Sequence, residues 1–213
     1  MSLLPLSCTI LGGANGSGKS TIYGKLHLDG RLVNADIIAR QIAPEHPESV
    51  TAAAGRRVIR LLEELLRARE SFVYETTLSS HQSIRLMERA RDGGYSVNLA
   101  FIVLRDLELN VLRVAERVML GGHSIPENTI RRRYAGAFER LPRAIALAHR
   151  VIIYDNSSQD NLETLIQIRD GIIVYNALNQ SSELHCRIAE RVSNGLSITS
   201  DSVFEAAKPD KIP

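Results

Sequence analysis

Several marks of secreted, membrane-bound and nucleic-acid-binding proteins are missing from this sequence of 213 residues. Its two cysteines, Cys8 and Cys186, lie far apart and fit neither a disulfide framework nor a zinc site, which favours a reducing compartment. No apolar run approaches the ~20 residues that a membrane-spanning helix needs. The first residues have neither the basic nor the long apolar region of a signal peptide. We therefore expect a soluble, cytoplasmic protein with no membrane partner.

The charge balance and the number of aromatic residues also argue against a nucleic-acid groove. The formal net charge is +2, and aromatic residues make up 5% of the chain. A surface that binds nucleic acid needs clustered positive charge and rings on which bases stack. We therefore do not expect nucleic acid as a partner. The 44% of apolar residues instead predict a folded chain with a buried core.

The segment from Gly13 to Ser20 fits the pattern G-x-x-x-x-G-K-[ST] at every fixed position. It follows a short apolar run and precedes a helix predicted over residues 17–28, as a phosphate-binding loop (P-loop) does. Glycines let backbone N–H groups approach phosphates, and the helix adds its positive N-terminal end. Lys19 is expected to bridge the β- and γ-phosphates of ATP, and the Ser20 hydroxyl to bind Mg²⁺. The residues predicted to bind ATP are Gly13, Ala14, Asn15, Gly16, Ser17, Gly18, Lys19, Ser20 and Thr21.

Strand candidates alternate with helix candidates through most of the chain. This alternation predicts βαβ units, a parallel sheet and a ligand crevice at the carboxyl ends of the strands. We therefore assign the α/β class, as a P-loop NTPase three-layer sandwich with a mostly parallel five-stranded sheet. The predicted strands are 7–12, 31–36, 71–77, 96–104 and 151–154.

The chain divides into a predicted core and a C-terminal addition packed on the same domain. Residues 1–160 form the P-loop core, in which residues 106–149 are expected to make a lid-like helical segment. Within residues 161–213, Asp170-Gly171 between two apolar runs predicts a short β-hairpin. A helix and a mobile tail are expected to follow the hairpin.

Three signatures of other P-loop proteins are absent. The sequence has no LSGGQ-like segment of transporter ATPases, no NKxD-like motif of GTPases and no apolar run ending in Asp-Glu. The arrangement that remains is that of small-molecule kinases, in which an acidic residue at the end of the second strand faces the acceptor. Asp36 takes this place and can accept the proton of an attacking hydroxyl. The alternative interpretation makes Asp36 the N-cap of the following helix.

A second carboxylate, that of Glu75, ends the third predicted strand. Packing rarely places an acid at the end of a buried strand, which favours a role on substrate or on Mg²⁺-bound water. The alternative is a simple polar strand end. Thr76 and Thr77 follow and can hydrogen-bond a substrate, although threonine is also common in strands for packing reasons.

Basic residues of the lid-like segment are candidates for binding phosphate. Arg113 and Arg117 lie four apart on one predicted helix face and repel each other unless an anion lies between them. Glu116 supports the alternative of a solvated charged face. His123, in a glycine-rich turn that suits a lid hinge, either donates to a phosphate or is an ordinary surface residue. Of three successive arginines further on, Arg133 borders the apolar stripe, and we expect it to face the site.

These motifs occur in the sequence as Gly12-Gly-Ala-Asn-Gly-Ser-Gly-Lys-Ser-Thr21, Asn34-Ala-Asp36, Tyr74-Glu-Thr-Thr-Leu78, Glu116-Arg117, Gly121-Gly-His-Ser-Ile-Pro-Glu127, Ile130-Arg-Arg-Arg-Tyr134 and Val151-Ile-Ile-Tyr-Asp-Asn-Ser157. Together they resemble the zeta toxin family of P-loop kinases, in the compact group also labelled predicted ABC-type ATPases. The resemblance implies the family's activity, which is phosphorylation of the 3′-hydroxyl of the sugar in UDP-N-acetylglucosamine. It also implies an antitoxin as a protein partner.

By position, the resemblance implies catalytic roles for Lys19, Asp36 and Arg117. Lys19 holds ATP, Asp36 matches the catalytic base, and Arg117 matches the first of two arginines that stabilise the moving phosphate. Glu75 matches a substrate-binding glutamate. The place of the second arginine falls near His123, so that either an arginine of the next helix supplies the charge or the chemistry differs. The residues expected to bind the acceptor are Asp36, Glu75, Thr76, Thr77, Arg113, His123 and Arg133.

Two further functions are compatible with the same motifs. One is a kinase of another metabolite or of an RNA end, which would share the ATP site and differ in the acceptor. The other is a nucleotide-switched binding protein, which would bind ATP without transferring phosphate to any acceptor.

Overall fold

A mixed β-sheet forms the centre of the protein in the computed structural model, which describes residues 6–122, 124–158 and 161–206. The strands are β1 Ser7–Gly12, β2 Arg31–Val33, β3 Phe72–Thr76, β4 Ser96–Val103, β5 Arg150–Asp155, β6 Glu163–Arg169 and β7 Ile172–Asn176. Their order across the sheet is β2-β3-β1-β4-β5-β6-β7. The P-loop strand β1 therefore lies between β3 and β4, near the middle of the sheet.

The five strands from β1 to β5 run parallel, as the alternation of strands and helices predicted. The predicted C-terminal hairpin exists and adds β6 and β7 antiparallel to β5. The α/β class and the mostly parallel sheet are therefore confirmed, whereas the predicted count of five strands is too low, because the described sheet has seven. The hairpin joins the sheet because Leu165, Ile166 and Ile168 of β6 are buried in the main core.

Helices follow the strands and begin, in several cases, at a capping side chain. They are α1 Lys19–Tyr23, α2 Ala35–Ile42, α3 Thr51–Ala68, α4 His81–Asp92, α5 Leu107–Met119, α6 Glu127–Leu147, α7 Glu183–Leu196 and α8 Ser200–Glu205, with a 3-10 helix at Pro47–Val50. Asn34 caps α2, Asp106 caps α5 and Ser182 caps α7. Each accepts hydrogen bonds from first-turn N–H groups that have no partner within the helix.

The two faces of the sheet are covered unequally. On one face, α2, α3, α4, α6, α7 and α8 cover a large core that includes Phe72 and Phe101. On the other face, a smaller cluster includes Val73 and Ile102 and is covered by α1 and the turns after it. α1 is shorter than predicted and ends at Tyr23, before a glycine. The sandwich therefore has one thick and one thin outer layer.

The C-terminal segment packs on the same core as the parallel strands. Leu184 and Ile188 of α7 are buried there. Asn176, at the end of β7, donates to the carbonyl oxygen of Val203 at 2.6 Å and so ties α8 to the sheet. The predicted mobile tail falls largely on residues 207–213, which lie outside the described residues. None of the described helices combines the length and the apolar character needed to cross a membrane.

Candidate active site

The P-loop, residues 13–18, connects β1 to α1. Gly13, Gly16 and Gly18 have positive φ angles of 146°, 80° and 90°. A Cβ added at Gly16 would lie 2.4 Å from the carbonyl oxygen of Asn110, and one at Gly13 would lie 2.4 Å from that of Ile102. Glycine is therefore required here by both backbone conformation and packing. A loop of this kind presents backbone N–H groups that suit an anion.

Lys19, the first residue of α1, is buried against the P-loop. Its Nζ donates to the carbonyl oxygens of Gly13 and Ala14 at 2.7 and 2.9 Å. Burial lowers the pKa of Lys19 from 10.5 to about 8, because the ammonium group loses its hydration. Lys19 therefore remains mostly a cation at neutral pH, next to the phosphate-binding backbone.

Four charged side chains from four elements act on the Lys19 ammonium. Glu75 at the end of β3 and Asp36 at the start of α2 favour its charged form. Arg117 of α5 and Arg133 of α6 disfavour it. These residues are distant in the sequence and meet at the carboxyl ends of the parallel strands, where a ligand crevice is expected. The structure thus brings together the lysine, two carboxylates and two of the arginines that the sequence predicted.

Glu75 links the start of α1 to the start of α2. Oγ of Ser20 donates to Oε1 of Glu75 at 2.8 Å, and Nδ2 of Asn34 donates to Oε2 at 2.6 Å. Oδ1 of Asn34 accepts in turn from the backbone N–H groups of Asp36 and Ile37. A continuous chain of hydrogen bonds therefore joins Ser20 to the backbone of Asp36.

Asp36 lies exposed in the first turn of α2. Asn34 caps this helix, so the interpretation of Asp36 as its N-cap is wrong. A carboxylate in the first turn interacts favourably with the positive end of the helix. The exposed side chain of Asp36 is therefore accessible to a ligand.

Arg113 and Arg117 lie on α5 but have different surroundings. Arg113 donates from Nη1 to the carbonyl oxygen of Asn156 at 2.8 Å and from Nη2 to that of Ser157 at 3.0 Å. Nδ2 of Asn156 donates to the carbonyl oxygen of Ser17 at 2.9 Å. Arg113 therefore holds the end of β5 against the P-loop, on the nucleotide side of the crevice. A contact of Arg113 with the acceptor stays a prediction.

Asn110 and Arg133 hold the tip of the P-loop from two helices. Asn110 is buried, and its Nδ2 donates to the carbonyl oxygen of Asn15 at 2.7 Å. Arg133 donates to Oδ1 of Asn15 at 3.2 Å. Arg131, by contrast, is paired with two glutamates at the surface. Of these two arginines, the one chosen from the sequence, Arg133, is the one that reaches the P-loop.

The comparison with known families is decided by a match that extends over most of the chain. The family model described as Zeta toxin matches residues 7–164. The chain belongs to the zeta toxin family. An uncharacterized protein of Haemophilus influenzae (strain ATCC 51907 / DSM 11121 / KW20 / Rd) is 36% identical to this zeta toxin family member over 124 residues, which cover 57% of this chain and 88% of that protein.

Solved structures show the same fold at low sequence identity. The AvrRxo1-ORF1:AvrRxo1-ORF2 structure with sulphate ions has a TM-score of 0.64 at 18% identity, covering 93% of this chain and 66% of that chain. A second structure of AvrRxo1-ORF1:-ORF2, with ATP, has a TM-score of 0.63 at 17% identity over the same shares. A chain of the PezAT chromosomal toxin–antitoxin system of Streptococcus pneumoniae has a TM-score of 0.58 at 17% identity, covering 93% and 89%. The zeta toxin family member described here thus spans 66% of the length of the AvrRxo1 chains.

The two predicted threonines organise the turn after β3. Oγ1 of Thr76 lies 3.2 Å from Oγ of Ser83 and accepts from the backbone N–H of Leu78. Oγ1 of Thr77 lies 2.8 Å from Oγ of Ser79. Leu78 is buried with a φ angle of +58°, a conformation that non-glycine residues adopt infrequently. The hydroxyls therefore fix a strained turn next to Glu75, and their contact with substrate stays a prediction.

The predicted lid hinge begins directly behind Arg117. Gly121 has a φ angle of +82°, and the N–H of Gly122 donates to the carbonyl oxygen of Arg117 at 2.8 Å. A Cβ at Gly122 would lie 2.6 Å from this carbonyl oxygen. Glycine at this turn therefore lets the chain leave α5 close to the arginine. His123, predicted to bind substrate, lies outside the described residues.

The residues of the crevice fit ATP and Mg²⁺. The P-loop presents a concave backbone that only glycine permits, with Lys19 beside it. The described part of the chain has no group of three or more histidine, cysteine, aspartate or glutamate residues that could hold a metal by themselves. Mg²⁺ needs no such group when phosphates and water supply most of its ligands. The Ser20 hydroxyl, with Glu75 behind it, suits this mode of binding.

Three asparagines of the site received no role in the sequence analysis. Asn110 and Asn156 hold the P-loop from α5 and from the end of β5, and Asn34 holds Glu75. Asn34 and Asn156 each follow a strand at its carboxyl end, which is the position where ligand crevices form. That position was a usable signal for two of them. Asn110 gave a weaker signal, because it lies on the same predicted helix face as Arg113 and Arg117.

Proposed function

We propose that this member of the zeta toxin family is an ATP-dependent kinase. It transfers the γ-phosphate of ATP to a sugar hydroxyl of UDP-N-acetylglucosamine or of a related nucleotide sugar. The observation that carries the proposal is the buried Lys19 on the P-loop carbonyl oxygens, beside the chain of hydrogen bonds that runs from Ser20 through Glu75 and Asn34 to the backbone of Asp36. A structural neighbour solved with ATP lends further support to ATP as the ligand.

The nucleotide side of the crevice holds the phosphates. ATP supplies the γ-phosphoryl group, and Mg²⁺ offsets the negative charge that accumulates on its oxygens. The backbone N–H groups of residues 13–18 and the Nζ of Lys19 bind the phosphate oxygens. The Ser20 hydroxyl would be a ligand of the metal, and Glu75 orients it by accepting its hydrogen bond.

The acceptor side carries out the proton transfer and stabilises the moving group. Asp36 accepts the proton of the acceptor hydroxyl. The hydroxyl oxygen forms a bond to the γ-phosphorus while the bond between this phosphorus and the leaving oxygen of ADP breaks. Arg117 and Arg133 stabilise the negative charge of the transferred group. Arg133 also contacts Asn15 of the P-loop, so it is placed to supply the charge of the family's second arginine.

The family relationship also suggests a cellular setting. One structural neighbour comes from a chromosomal toxin–antitoxin system, and we extend this to a protein antitoxin as the partner of the present chain. ATP and nucleotide sugars are both cytoplasmic metabolites, and this supports the cytoplasm as the place of action. Purification of the chain from its own host, with identification of stoichiometric partners, tests the antitoxin.

The kinase is tested with γ-labelled ATP, Mg²⁺ and a panel of nucleotide sugars, nucleosides, RNA 5′ and 3′ ends and NAD. Wild type is compared with Lys19→Ala and Asp36→Asn. Labelled UDP-N-acetylglucosamine with wild type, and none with either variant, is the expected result. Label on a different acceptor would instead identify the chain as a kinase of another metabolite or of an RNA end. Tight, Lys19-dependent ATP binding without any labelled acceptor would replace the kinase by a nucleotide-switched binding protein.

A further inference from the structure

Asn34 is a buried polar residue at the junction of β2 and α2. Only 6% of it is exposed. Its Oδ1 accepts from the N–H groups of Asp36 at 2.7 Å and Ile37 at 3.0 Å, and its Nδ2 donates to Oε2 of Glu75 at 2.6 Å. Both ends of the carboxamide are therefore engaged. A desolvated amide that lost one of these partners would leave an unpaired polar atom.

Hydrogen-bonding chemistry determines how the Asn34 carboxamide is oriented. Backbone N–H groups only donate, so they face its oxygen, whereas the Glu75 carboxylate accepts and faces its NH₂ group. Aspartate would cap α2 about as well as asparagine, but it would present an oxygen to Glu75. Serine would also cap the helix, but its hydroxyl is too short to reach Glu75. Asparagine is therefore explained by Glu75 and not by the helix alone.

We propose that Asn34 is a positioning residue that keeps Asp36 and Ser20 in a common geometry; this proposal rests on the kinase function proposed above. Asn34 acts on Asp36 through the backbone N–H that it accepts. It acts on Ser20 through Glu75, which accepts a hydrogen bond from the Ser20 hydroxyl. Because the hydroxyl proton is directed to Glu75, the lone pairs of the Ser20 oxygen remain for Mg²⁺.

The arrangement joins the two sides of the crevice through one side chain. Asp36 belongs to the acceptor side and Ser20 to the nucleotide side. The hydrogen bonds from Ser20 to Glu75 and on to Asn34 connect α1 to α2. A shift of about 1 Å in catalytic geometry lowers rates by on the order of 10²-fold. Loss of the bond to Glu75 is therefore expected to lower kcat by about 10²-fold. KM for ATP in Mg²⁺ should rise as well, because the Ser20 hydroxyl is no longer oriented for the metal.

The first test separates the bond to Glu75 from the helix cap. Asn34→Ser and Asn34→Asp both retain a capping oxygen and lose the donor to Glu75. Affinity for a fluorescent ATP analogue is measured in EDTA and in Mg²⁺, without acceptor. We expect wild-type affinity in EDTA and loss of the Mg²⁺-dependent gain in both variants. The control Ser182→Ala removes the cap of α7, away from the site, and is expected to keep this gain. A wild-type gain in both Asn34 variants would overturn the proposal.

The second test exchanges donor and acceptor. In the double variant Asn34→Asp with Glu75→Gln, the aspartate oxygens accept from the backbone N–H groups, and the glutamine NH₂ donates to the aspartate. The bond is thus rebuilt with reversed polarity. We expect the double variant to unfold at a higher temperature than Asn34→Asp, and the two substitutions to be non-additive. Strict additivity of the two shifts in Tm would contradict the direct bond.

The two proposals fail in different ways. Wild-type kcat of Asn34→Ser, in a chain that does phosphorylate an acceptor, would overturn the positioning role and leave the kinase intact. A chain that phosphorylates no acceptor, but in which Asn34 variants lose the Mg²⁺-dependent gain, would refute the kinase. In that case the link between Asn34 and the Ser20 hydroxyl would stand. A fall in kcat, together with loss of the Mg²⁺-dependent gain in ATP affinity, supports both.

Discussion

The two sides of the crevice are built in different ways. The nucleotide side consists of P-loop backbone. Asn110 and Asn156 donate hydrogen bonds to its carbonyl oxygens, and Arg113 donates to the carbonyl oxygen of Asn156. The acceptor side, as proposed, depends on Asp36 and Arg117, which are exposed at the start of α2 and near the end of α5. The first side is therefore organised by the fold before a ligand binds. The second relies on individual side chains, which is where family members can differ in acceptor.

The largest expected effect lies on the acceptor side, at Arg117. Arg117→Ala is expected to lower kcat by about 10³-fold or more, because arginines that stabilise a transferred phosphoryl group contribute effects of this size. Affinity for ATP should change little. Steady-state phosphorylation of the acceptor and a nucleotide titration measure the two quantities. Arg132→Ala, an exposed arginine of α6, is the control and should behave as wild type. An equal fall of kcat in both variants would show that Arg117 has no specific role in the reaction.

The next effect concerns the nucleotide side, at Gly16. Gly16→Ala forces a side chain into a backbone with φ of +80° and against the carbonyl oxygen of Asn110. Strain of this kind costs about 1–3 kcal/mol, so the Kd for ATP should rise by roughly 5- to 150-fold. Isothermal titration gives the Kd.

The control for Gly16 is Gly55→Ala, in α3, where an added Cβ meets nothing within 4 Å. Alanine there should leave the Kd unchanged and raise stability by about 0.5–1 kcal/mol, as alanine does in a helix interior. Wild-type ATP affinity in Gly16→Ala would show that the P-loop is less constrained than its contacts indicate.

The same contrast governs what the sequence could predict about the site. The three glycines of the P-loop are required by the local backbone conformation, and Lys19 and Ser20 follow them at a fixed spacing. The segment from Gly13 to Ser20 could therefore be interpreted without its surroundings. The roles of the three asparagines, Asn34, Asn110 and Asn156, could not be predicted in this way. An asparagine can form many local hydrogen bonds, and its tertiary partner depends on which segment packs against it in the folded chain. Arg113 is an intermediate case, since its spacing from Arg117 predicted a shared anion and the folded chain offered two carbonyl oxygens.

The sheet shows the same limit on a larger scale. Apolar runs and intervening helices predicted the five parallel strands, because each strand needs burial on both faces. The Asp170-Gly171 turn predicted the C-terminal hairpin. A two-residue turn determines how β6 pairs with β7, but it carries no information about the strand on the other side of β6. The pairing of β6 with β5, which makes one sheet of seven strands, is a tertiary contact.

A smaller effect is expected at Arg113, and it decides between the two sides of the crevice. Arg113→Lys replaces a fork that spans two carbonyl oxygens by a single ammonium group. Loss of one charged hydrogen bond is expected to lower the free energy of unfolding by about 1–2 kcal/mol. ATP affinity should fall several-fold and KM for the acceptor should not change.

Denaturant unfolding and steady-state kinetics separate the two roles of Arg113. The control Arg60→Lys, on the exposed side of α3, should change neither quantity. Unchanged stability with a raised KM for the acceptor would move Arg113 to the acceptor side.

The smallest effect is a pH dependence of the nucleotide side that originates at Lys19. Burial lowers the pKa of Lys19 to about 8, and bound phosphates favour its charged form and raise the pKa again. Above about pH 8, ATP binding should therefore take up a proton, and affinity should fall by up to about tenfold per pH unit. The pH dependence of stability in the ATP-free protein has the opposite sign. Between pH 8 and 10.5 the unfolded chain binds more protons at Lys19, so this contribution to the free energy of unfolding rises with pH.

Calorimetric titration with ATP near pH 9, in two buffers of different ionisation enthalpy, measures the proton uptake of Lys19. The control Lys25→Ala, an exposed lysine just after α1, should retain it. ATP affinity that stays constant from about pH 7 to 9.5 would mean that Lys19 is charged in both states. The nucleotide side would then be less desolvated than the burial of Lys19 indicates, and its contrast with the acceptor side would rest on the hydrogen bonds alone.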